Sequence, residues 1–263
     1  IDDLKDTFLQ FANSVPFYGT VCACKDSNNV ASILSKIDKP VITYGIENQN
    51  LDIKAENLHQ ENGTISFDVK VKDQIFSVNL SVPGKYNVYN ALAALSVCET
   101  MGIDLESACK ALSNFSGVKR RFDIKANEDI MIIDDYAHHP VEVKNVIETV
   151  KSNWNKNLNV IFQPHLFSRT KEFYKDFAKA LMIADNVIIT EIFGSREKED
   201  NSTTSDLIIN EMLKLNHKNV SYVSSKDIVE EVKSRGVKGD IFLTMGAANI
   251  WRYAEELGKH YND

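Results

Sequence analysis

The stretch IMIIDDYAHHPVEVKNVIETVK, residues 130–151, decides the fold class of the second half of the chain. Its opening is continuously apolar, as in a strand that is buried on both faces. The apolar residues that follow recur with helical spacing: Val143, Val146, Ile147 and Val150. Further apolar strands are predicted at NVIF (159–162), NVIIT (186–190), VSYVSS (220–225) and DIFLTM (240–245). Because amphipathic helices such as that at 170–185 alternate with these strands, the sequence predicts a Rossmann-like α/β domain with a mostly parallel sheet.

The first part of the chain is predicted to be a separate, mixed α/β domain. It opens with a helix whose apolar stripe is Leu4, Phe8 and Phe11. Short strands are predicted at 20–25 and 40–45, a hairpin at 65–82 and helices at 87–103 and 105–115. The change of pattern after Gly117 places a domain boundary there, with domains at 1–117 and 118–263.

Composition excludes several classes of protein. Of the 263 residues, 43% are hydrophobic and 25% are charged, which is typical of a globular domain. The formal net charge of −7 makes a nucleic acid an unfavourable partner. No apolar stretch has membrane-spanning length, so a cytoplasmic protein without a membrane partner is expected. The four scattered cysteines are predicted to be buried free thiols.

Four loops follow predicted strands at their carboxyl ends, where ligands bind in open parallel sheets: DDYAHHP, QPHLFSRT, EIFGSREKED and GAANIW. The first two hold most of the ionisable candidates. The candidates are Asp134, Asp135, Tyr136, His138 and His139 in the first loop, and His165 and Arg169 in the second. A metal site, a set of loop hydrogen bonds and a carboxylate-binding site all remain possible interpretations. The spacing lacks a zinc-type H-E-x-x-H pattern, and a guanidinium suits a planar carboxylate, so Arg169 favours carboxylate binding.

Two further groups of residues stand out. Lys119, Arg120 and Arg121 put three positive charges at the domain boundary, either as a solvated basic corner or as part of a site. Asn87 and Asn90 lie three apart near the start of a predicted helix, so they share one face. They are either helix caps or a pair that binds a nucleotide base.

Six segments, in order along the chain, resemble the Mur ligases. They are VPFYG (15–19), PGKYNVYNALAA (83–94), FSGVKRRFD (115–123), DDYAHHPVEV (134–143), FQPHLFSRT (162–170) and MGAANIW (245–251). The family fold has an N-terminal nucleotide-sugar domain, a central ATPase domain and a C-terminal Rossmann-like domain. The resemblance implies that 1–117 is the C-terminal portion of the central ATP-binding domain and that 118–263 is the C-terminal, amino-acid-presenting domain.

The resemblance also implies ATP-dependent amide formation in peptidoglycan precursor synthesis. DDYAHHP followed by QPH-x-x-S-R-T is similar to the members that join L-alanine to UDP-N-acetylmuramate. There the muramate carboxylate attacks the γ-phosphate of ATP, and the amine of L-alanine displaces phosphate from the acyl phosphate, with Mg²⁺ neutralising the phosphoryl group. ATP, Mg²⁺, L-alanine and UDP-N-acetylmuramate are thus the expected ligands. A ligase that recycles a tripeptide and a non-catalytic Rossmann-like binding module remain the alternatives.

Matching positions imply roles at the ATP site. Asn87 and Asn90 match asparagines beside the adenine, and Asp135 matches an aspartate that meets the ribose. Arg121 matches an arginine that reaches the ATP phosphates, which makes it a candidate catalytic residue.

Other matching positions imply roles at the amino-acid site. Tyr136, His138, His165 and Arg169 match the loops that hold L-alanine and the end of the muramate, and His138 is the second candidate catalytic residue. Leu166 stands where several members have a second arginine, which leaves Arg169 as the main candidate for the alanine carboxylate.

One family element is missing from the sequence. The phosphate-binding loop needs Gly-Lys-Thr or Gly-Lys-Ser, but Gly84-Lys85 precedes Tyr86 and Gly258-Lys259 precedes His260. The family often has a histidine where Tyr86 stands. We therefore expect a fragment that lacks the N-terminal domain, the phosphate loop and the metal ligands, and that is inactive alone.

Overall fold

A computed structural model describes residues 2–262. The chain divides into two compact units, one ending at Ser116 and the other beginning at Gly117. Within the described residues, each unit contains one sheet and its own buried core. The predicted α/β class is therefore confirmed.

The first unit has a five-stranded sheet, within residues 2–116, in the order β1-β2-β3-β4-β5. The strands are β1 (Val21–Cys24), β2 (Val41–Gly45), β3 (Ile53–Glu61), β4 (Thr64–Val71) and β5 (Gln74–Leu80). The helices are α1 (Asp2–Asn13), α2 (Asn28–Leu34), α3 (Lys85–Thr100) and α4 (Leu105–Ser113). Strands β1 to β3 pair in parallel, whereas β3, β4 and β5 form an antiparallel meander.

The predicted hairpin is β4–β5. Phe67, Val69 and Val71 alternate along β4 and are all buried, as the period-two pattern predicts. Strand β3 was not among the predicted strands. Its pairing with β4 shifts between Glu56 and His59, where Asn57 has a φ of 55°, so the alternation that would reveal a strand is broken by a bulge.

The second unit has a six-stranded sheet, within residues 117–262, in the order β10-β9-β8-β11-β7-β6. The strands are β6 (Asp123–Asn127), β7 (Met131–Asp135), β8 (Leu158–Phe162), β9 (Asn186–Ile189), β10 (Val220–Tyr222) and β11 (Ile241–Met245). The helices are α5 (Pro140–Asn153), α6 (Phe167–Leu181), α7 (Asp206–Lys214), α8 (Ile228–Arg235) and α9 (Trp251–Asn262). All pairings are parallel except that of β6 with β7, and buried residues on both faces give the Rossmann-like architecture.

Two sequence expectations need correction. Helix α1 forms as predicted, but its stripe is not core, since Leu4, Phe8 and Phe11 are 58%, 57% and 74% exposed. All four cysteines are free, but Cys109 alone is buried, and the other three are half-buried. Periodicity predicts which residues share a face and not whether another element covers that face.

Candidate active site

Strand order sets the layout of the candidate site in the second unit. The last strand in the chain, β11, pairs with both β7 and β8 and separates them. The segments that follow β7, β11 and β8 therefore emerge side by side at the carboxyl edge of this sheet. These segments are residues 136–140, 246–250 and 163–166.

Asp134 belongs to β7 and not to the loop after it. Its side chain is fully buried, accepts a hydrogen bond from the Thr244 hydroxyl at 2.7 Å, and pairs with the Arg120 Nε at 3.3 Å. Burial raises the pKa of Asp134, against the opposing effects of Thr244 and Arg120. Arg120 also donates to the carbonyl oxygen of Gly246 at 2.5 Å, so it links β7 to β11 and is not part of a solvated corner.

Asp135 ends β7 and is also buried, at 2% exposure. Its two carboxylate oxygens accept hydrogen bonds at 2.8 Å from the backbone N–H groups of Phe122 and Ala137. Burial outweighs these bonds and raises the pKa of Asp135 to about 6. The residue therefore fixes the backbone before β6 and after β7, and the ribose contact expected of it stays a prediction.

The loop after β7 is closed by a helix cap. Pro140 occupies the first position of α5, which its fixed φ favours, and the His139 ring accepts from the N–H of Val141. Glu142 accepts in return from the backbone N–H groups of His138 and His139. This reciprocal capping box fixes the loop backbone and leaves the His138 ring to face the other loop residues.

The predicted substrate residues of the two loops lie together. The ring centroid of His138 is 5.1 Å from that of Tyr136 and 6.0 Å from that of His165. The His138 Nδ1 lies 2.9 Å from the backbone oxygen of Tyr136, which orients the ring. Arg169 extends the row, because its Nη1 lies 3.5 Å from the Nδ1 of His165.

Arg169 is half-buried on the first turn of α6 and has no carboxylate within 4.0 Å among residues 2–262. Burial, together with the charge of Arg169, lowers the pKa of His165. A neutral imidazole beside a guanidinium whose donors are available forms a site for an anion, and the planar fork of arginine suits a carboxylate.

Glu197 is a residue of this site that sequence reasoning missed. Leu166 precedes α6 with φ 71° and cannot cap it, and Glu197 instead accepts from the backbone N–H and the hydroxyl of Ser168. The Ser168 hydroxyl bond, followed by smaller effects, lowers the pKa of Glu197. The loop after β9 is thereby anchored to the start of α6, next to Arg169. The absent cap at Leu166 is the sequence signal that could have predicted a distant partner.

Arg121 and Lys119 differ from Arg120. Both are exposed, and the Arg121 guanidinium carbon lies 5.7 Å from the ring centroid of Tyr136. Arg121 closes a tight turn by donating from its N–H to the oxygen of Val118 at 3.0 Å. Within the second unit, Arg121 thus lies beside Tyr136 with its charge in solvent.

In the first unit, Asn87 and Asn90 share one face of α3, as predicted. Asn90 is exposed and donates to the Asn87 side-chain oxygen at 3.3 Å, while Asn87 donates to the oxygen of Pro83 at 2.7 Å. The pair is therefore not a conventional cap, since Gly84 stands at the cap position. An asparagine amide offers the donor and acceptor that an adenine edge requires.

Asp26, two residues after β1, was not a sequence candidate. Its carboxylate accepts from the backbone N–H groups of Ile46, Glu47 and Asn48 at 2.6, 2.9 and 3.0 Å. It also accepts from the Asn48 side chain at 2.8 Å and from the Tyr89 hydroxyl at 3.0 Å. The loop after β2 is thus fastened to the helix that carries Asn87 and Asn90.

A metal ion has no evident protein site in this part of the chain. No group of three or more His, Cys, Asp or Glu side chains suited to a metal occurs among residues 2–262. The carboxylates of Asp134 and Asp135 already accept hydrogen bonds from protein groups and do not converge on a shared ligand. The donor set of the described residues therefore does not fit a bound Mg²⁺.

Residues 1–98 match the Mur ligase middle domain and residues 120–248 match the glutamate ligase domain of Mur ligases. The chain is 40% identical, over 98% of its length, to UDP-N-acetylmuramate–L-alanine ligase of Caldanaerobacter subterraneus subsp. tengcongensis, and 38% identical to that of Geotalea uraniireducens. It covers 56% and 57% of those two proteins, so it spans little more than half of their length.

Solved structures show the same fold. The UDP-N-acetylmuramate–alanine ligase of Thermotoga maritima superposes with a TM-score of 0.78 at 26% identity, over 98% of this chain and 54% of that one. A murein peptide ligase of Psychrobacter arcticus superposes at 0.70 and 22% identity, over 100% of this chain and 55% of that one, which supports the fold alone.

The two domain matches cover both structural units, and each unit has the fold that the match requires. The chain therefore combines the two domain types that form the middle and the Rossmann-like C-terminal parts of Mur ligases. The chain belongs to the Mur ligase family.

Within residues 2–262, none of the helices is both long and apolar enough to cross a bilayer.

Proposed function

We propose that the chain is part of an ATP-dependent ligase that joins L-alanine to UDP-N-acetylmuramate in peptidoglycan precursor synthesis. The relatives that it resembles at up to 40% identity carry that name. The observation that carries the proposal is the available guanidinium of Arg169 in one row with His165 and His138 at the carboxyl edge of the sheet. A small amino acid presents one carboxylate, and Arg169 presents one guanidinium to bind it.

The proposed reaction has two steps. A muramate carboxylate oxygen attacks the γ-phosphorus of ATP and ADP leaves, which gives an acyl phosphate. The amine of L-alanine then attacks the acyl carbon, inorganic phosphate leaves, and the amine nitrogen loses a proton. ATP supplies the phosphoryl group, and positioning of the amine accounts for much of the rate enhancement in such transfers.

The residues of the second unit would hold and orient the amino acid. Arg169 binds its carboxylate, and His165 stays neutral because burial and Arg169 lower its pKa, so it adds no competing charge. His138 and Tyr136 border the same space, where we propose that the end of the muramate lies. His138, whose ring is oriented by the Tyr136 backbone oxygen, is proposed to act on the reacting groups.

The nucleotide roles remain proposals that follow from the family. Asn87 and Asn90 are assigned to the adenine, Arg121 to the phosphates and Asp135 to the ribose. We likewise assign residues 1–117 to the ATP-binding domain and 118–263 to the domain that presents the amino acid. Exposure of Asn90 and Arg121 supports their assignments, and the burial of Asp135 makes that one the least direct.

The test is binding of L-alanine to this chain by ligand-observed NMR, with and without Arg169→Ala. Loss of a charge-assisted bidentate contact should weaken binding by roughly 10- to 100-fold. Arg235→Ala is the matched control, because Arg235 ends α8 shortly before β11 begins and so lies at the opposite edge of the sheet. Equal affinity of the Arg169→Ala variant and the unmodified chain for L-alanine would refute the carboxylate assignment.

The same experiment with the tripeptide separates the two ligase functions. Preferential binding of L-alanine supports the alanine-adding reaction. Preferential binding of the tripeptide would instead support the recycling ligase. Phosphate release from ATP in the presence of UDP-N-acetylmuramate, compared for the two amino components, gives the corresponding result in the whole protein.

A further inference from the structure

Gln163 is a buried amide without a partner. It follows β8 directly and is 2% exposed. Its side-chain Oε1 has no hydrogen-bond partner among residues 2–262. Its backbone is well satisfied, since the N–H donates to the oxygen of Met245 at 2.9 Å. The side chain, and not the backbone, is therefore the unexplained feature.

An unpaired buried amide is destabilising, and an apolar side chain of the same size would avoid that cost. Asn159, within β8, shows the ordinary arrangement. Its side chain accepts from Asn186 at 3.0 Å and donates to the oxygen of Ile241 at 3.4 Å. The amide within β8, away from the candidate site, is therefore paired, and the amide directly after β8, at the candidate site, is not.

The surroundings of Gln163 belong to the candidate site. It lies two residues before His165, and it packs against Gly246, which directly follows β11. A Cβ built on Gly246 would come within 3.1 Å of the Gln163 Cβ and 2.8 Å of its backbone oxygen, so glycine at 246 lets the two backbones approach closely. Asn249, in the segment after β11, has a second buried amide oxygen without a partner in the described part of the chain.

We infer that the Gln163 side-chain oxygen accepts a hydrogen bond from the α-amino group of the amino-acid substrate. This inference rests on the proposed function, because it assigns a residue to the same amino-acid site. It makes Gln163 a substrate-binding residue that distinguishes an amino acid from a simple carboxylic acid.

The choice of the amine over the carboxylate follows from charge. The substrate carboxylate has Arg169 as its partner, so the amine is the group that needs an acceptor. A neutral amide suits a nucleophilic amine better than a carboxylate does. An adjacent negative charge would raise the amine pKa and keep the nitrogen protonated, whereas an amide oxygen orients the N–H group with less effect on its basicity.

The first test is stability, measured by thermal unfolding of the chain. Gln163→Met keeps the volume and removes the unpaired polar group, so its Tm should rise by a few degrees. Asn159→Leu removes an amide that is fully paired and should lower the Tm. A fall in Tm for Gln163→Met would show that the amide has a structural partner, and that result would overturn the inference.

The second test compares two ligands, L-alanine and propionate, which differ by the amine. The unmodified chain should bind L-alanine more tightly than propionate, and Gln163→Met should reduce that preference by roughly 10-fold or more while its affinity for propionate is unchanged. An undiminished preference for L-alanine in Gln163→Met overturns the inference.

The outcomes separate this inference from the proposed function. Binding of L-alanine that depends on Arg169 but not on Gln163 removes the inference and leaves the proposed function intact. Absence of Arg169-dependent binding removes both. A higher Tm together with a lost preference for the amine supports both.

Discussion

Two aspartates, one in each unit, accept similar hydrogen bonds in different surroundings. Asp26 follows β1 and Asp135 ends β7, and both accept hydrogen bonds from backbone N–H groups of a neighbouring segment. Their pKa values nevertheless shift in opposite directions. Burial opposes ionisation of Asp26, but the hydrogen bonds from Ile46, Glu47 and Asn48 outweigh it and hold its pKa well below the ordinary value. At Asp135, burial dominates and the pKa rises to about 6.

The comparison shows that the number of hydrogen bonds and the depth of burial compete. Asp26 is half-buried and has five donors, whereas Asp135 is almost fully buried and has two. A carboxylate therefore becomes a stable anion where donors are many and water is close. It becomes a group that titrates near neutral pH where donors are few and water is excluded.

The largest effect is expected for Asp26→Ala, which removes the acceptor of all five bonds. Three backbone N–H groups of the loop after β2 lose their partner, and we expect a loss of about 3 kcal/mol in the stability of the first unit. Faster hydrogen exchange at the backbone amides of Ile46, Glu47 and Asn48 measures this loss of stability. Both tryptophans of the chain, Trp154 and Trp251, lie in the second unit, so their fluorescence serves as an internal control. Unchanged exchange at the three amides would show that the loop does not depend on Asp26.

A comparable effect, about 3 kcal/mol, is expected for the pH dependence caused by Asp135. Its pKa is higher in the folded state than the ordinary value of 3.8, so the folded state binds the proton more tightly. Its contribution to stability is therefore full below about pH 4 and is lost as the pH rises to about 6. Asp26, with a lowered pKa, contributes above pH 3.8 and loses that contribution as the pH falls further.

Asp135→Asn checks this prediction, with urea unfolding followed by tryptophan fluorescence at several pH values. The variant is less stable throughout, because its amide N–H₂ faces a backbone donor, but it should lack the decline between pH 4 and 6. The difference between the two proteins cancels the contribution of His165, which titrates in both. Parallel curves for the two proteins would mean that Asp135 has an ordinary pKa.

The smallest effect is expected for Tyr89→Phe, about 1 kcal/mol, because Asp26 keeps four of its five donors. Burial, and then the bond to Asp26, raises the pKa of the Tyr89 hydroxyl. Slightly faster exchange at the amides of Ile46 to Asn48 is the measurement. Tyr18→Phe, at a residue that is 79% exposed, is the control and should change nothing. An effect as large as that of Asp26→Ala would mean that the backbone bonds contribute little.

The sequence predicted the strands and helices whose burial is one-sided or complete. The apolar strands β7, β8, β9 and β11 and the buried face of α5 are where periodicity placed them. Strand β6 was missed because DIKAN at 123–127 has one buried residue, Ala126, and resembles a loop. The exposure of the α1 stripe could not be predicted, since amphipathic spacing carries no information about what covers the face.

The candidate site was predicted in part for a similar reason. Tyr136, His138, His165 and Arg169 are uncommon residue types in two dense loops, and the structure brings them together. The roles of Asp26, Glu197 and Gln163 depend on partners far away in the sequence, or on having none. Local pattern cannot supply that information. Lys119, Arg120 and Arg121 look alike in sequence, and Arg120 differs from the other two because it pairs with one buried partner, Asp134.

The position of β11 between β7 and β8 has a consequence for how the protein is made. The two loops of the candidate site follow β7 and β8, and both are synthesised before the strand that must lie between them, Ile241–Met245. Until that strand is made, β7 and β8 cannot hold their native spacing, and the edge that each presents to β11 has no hydrogen-bonding partner. Termination of synthesis before Ile241 should therefore abolish the site even though its predicted ligand-binding residues have all been made.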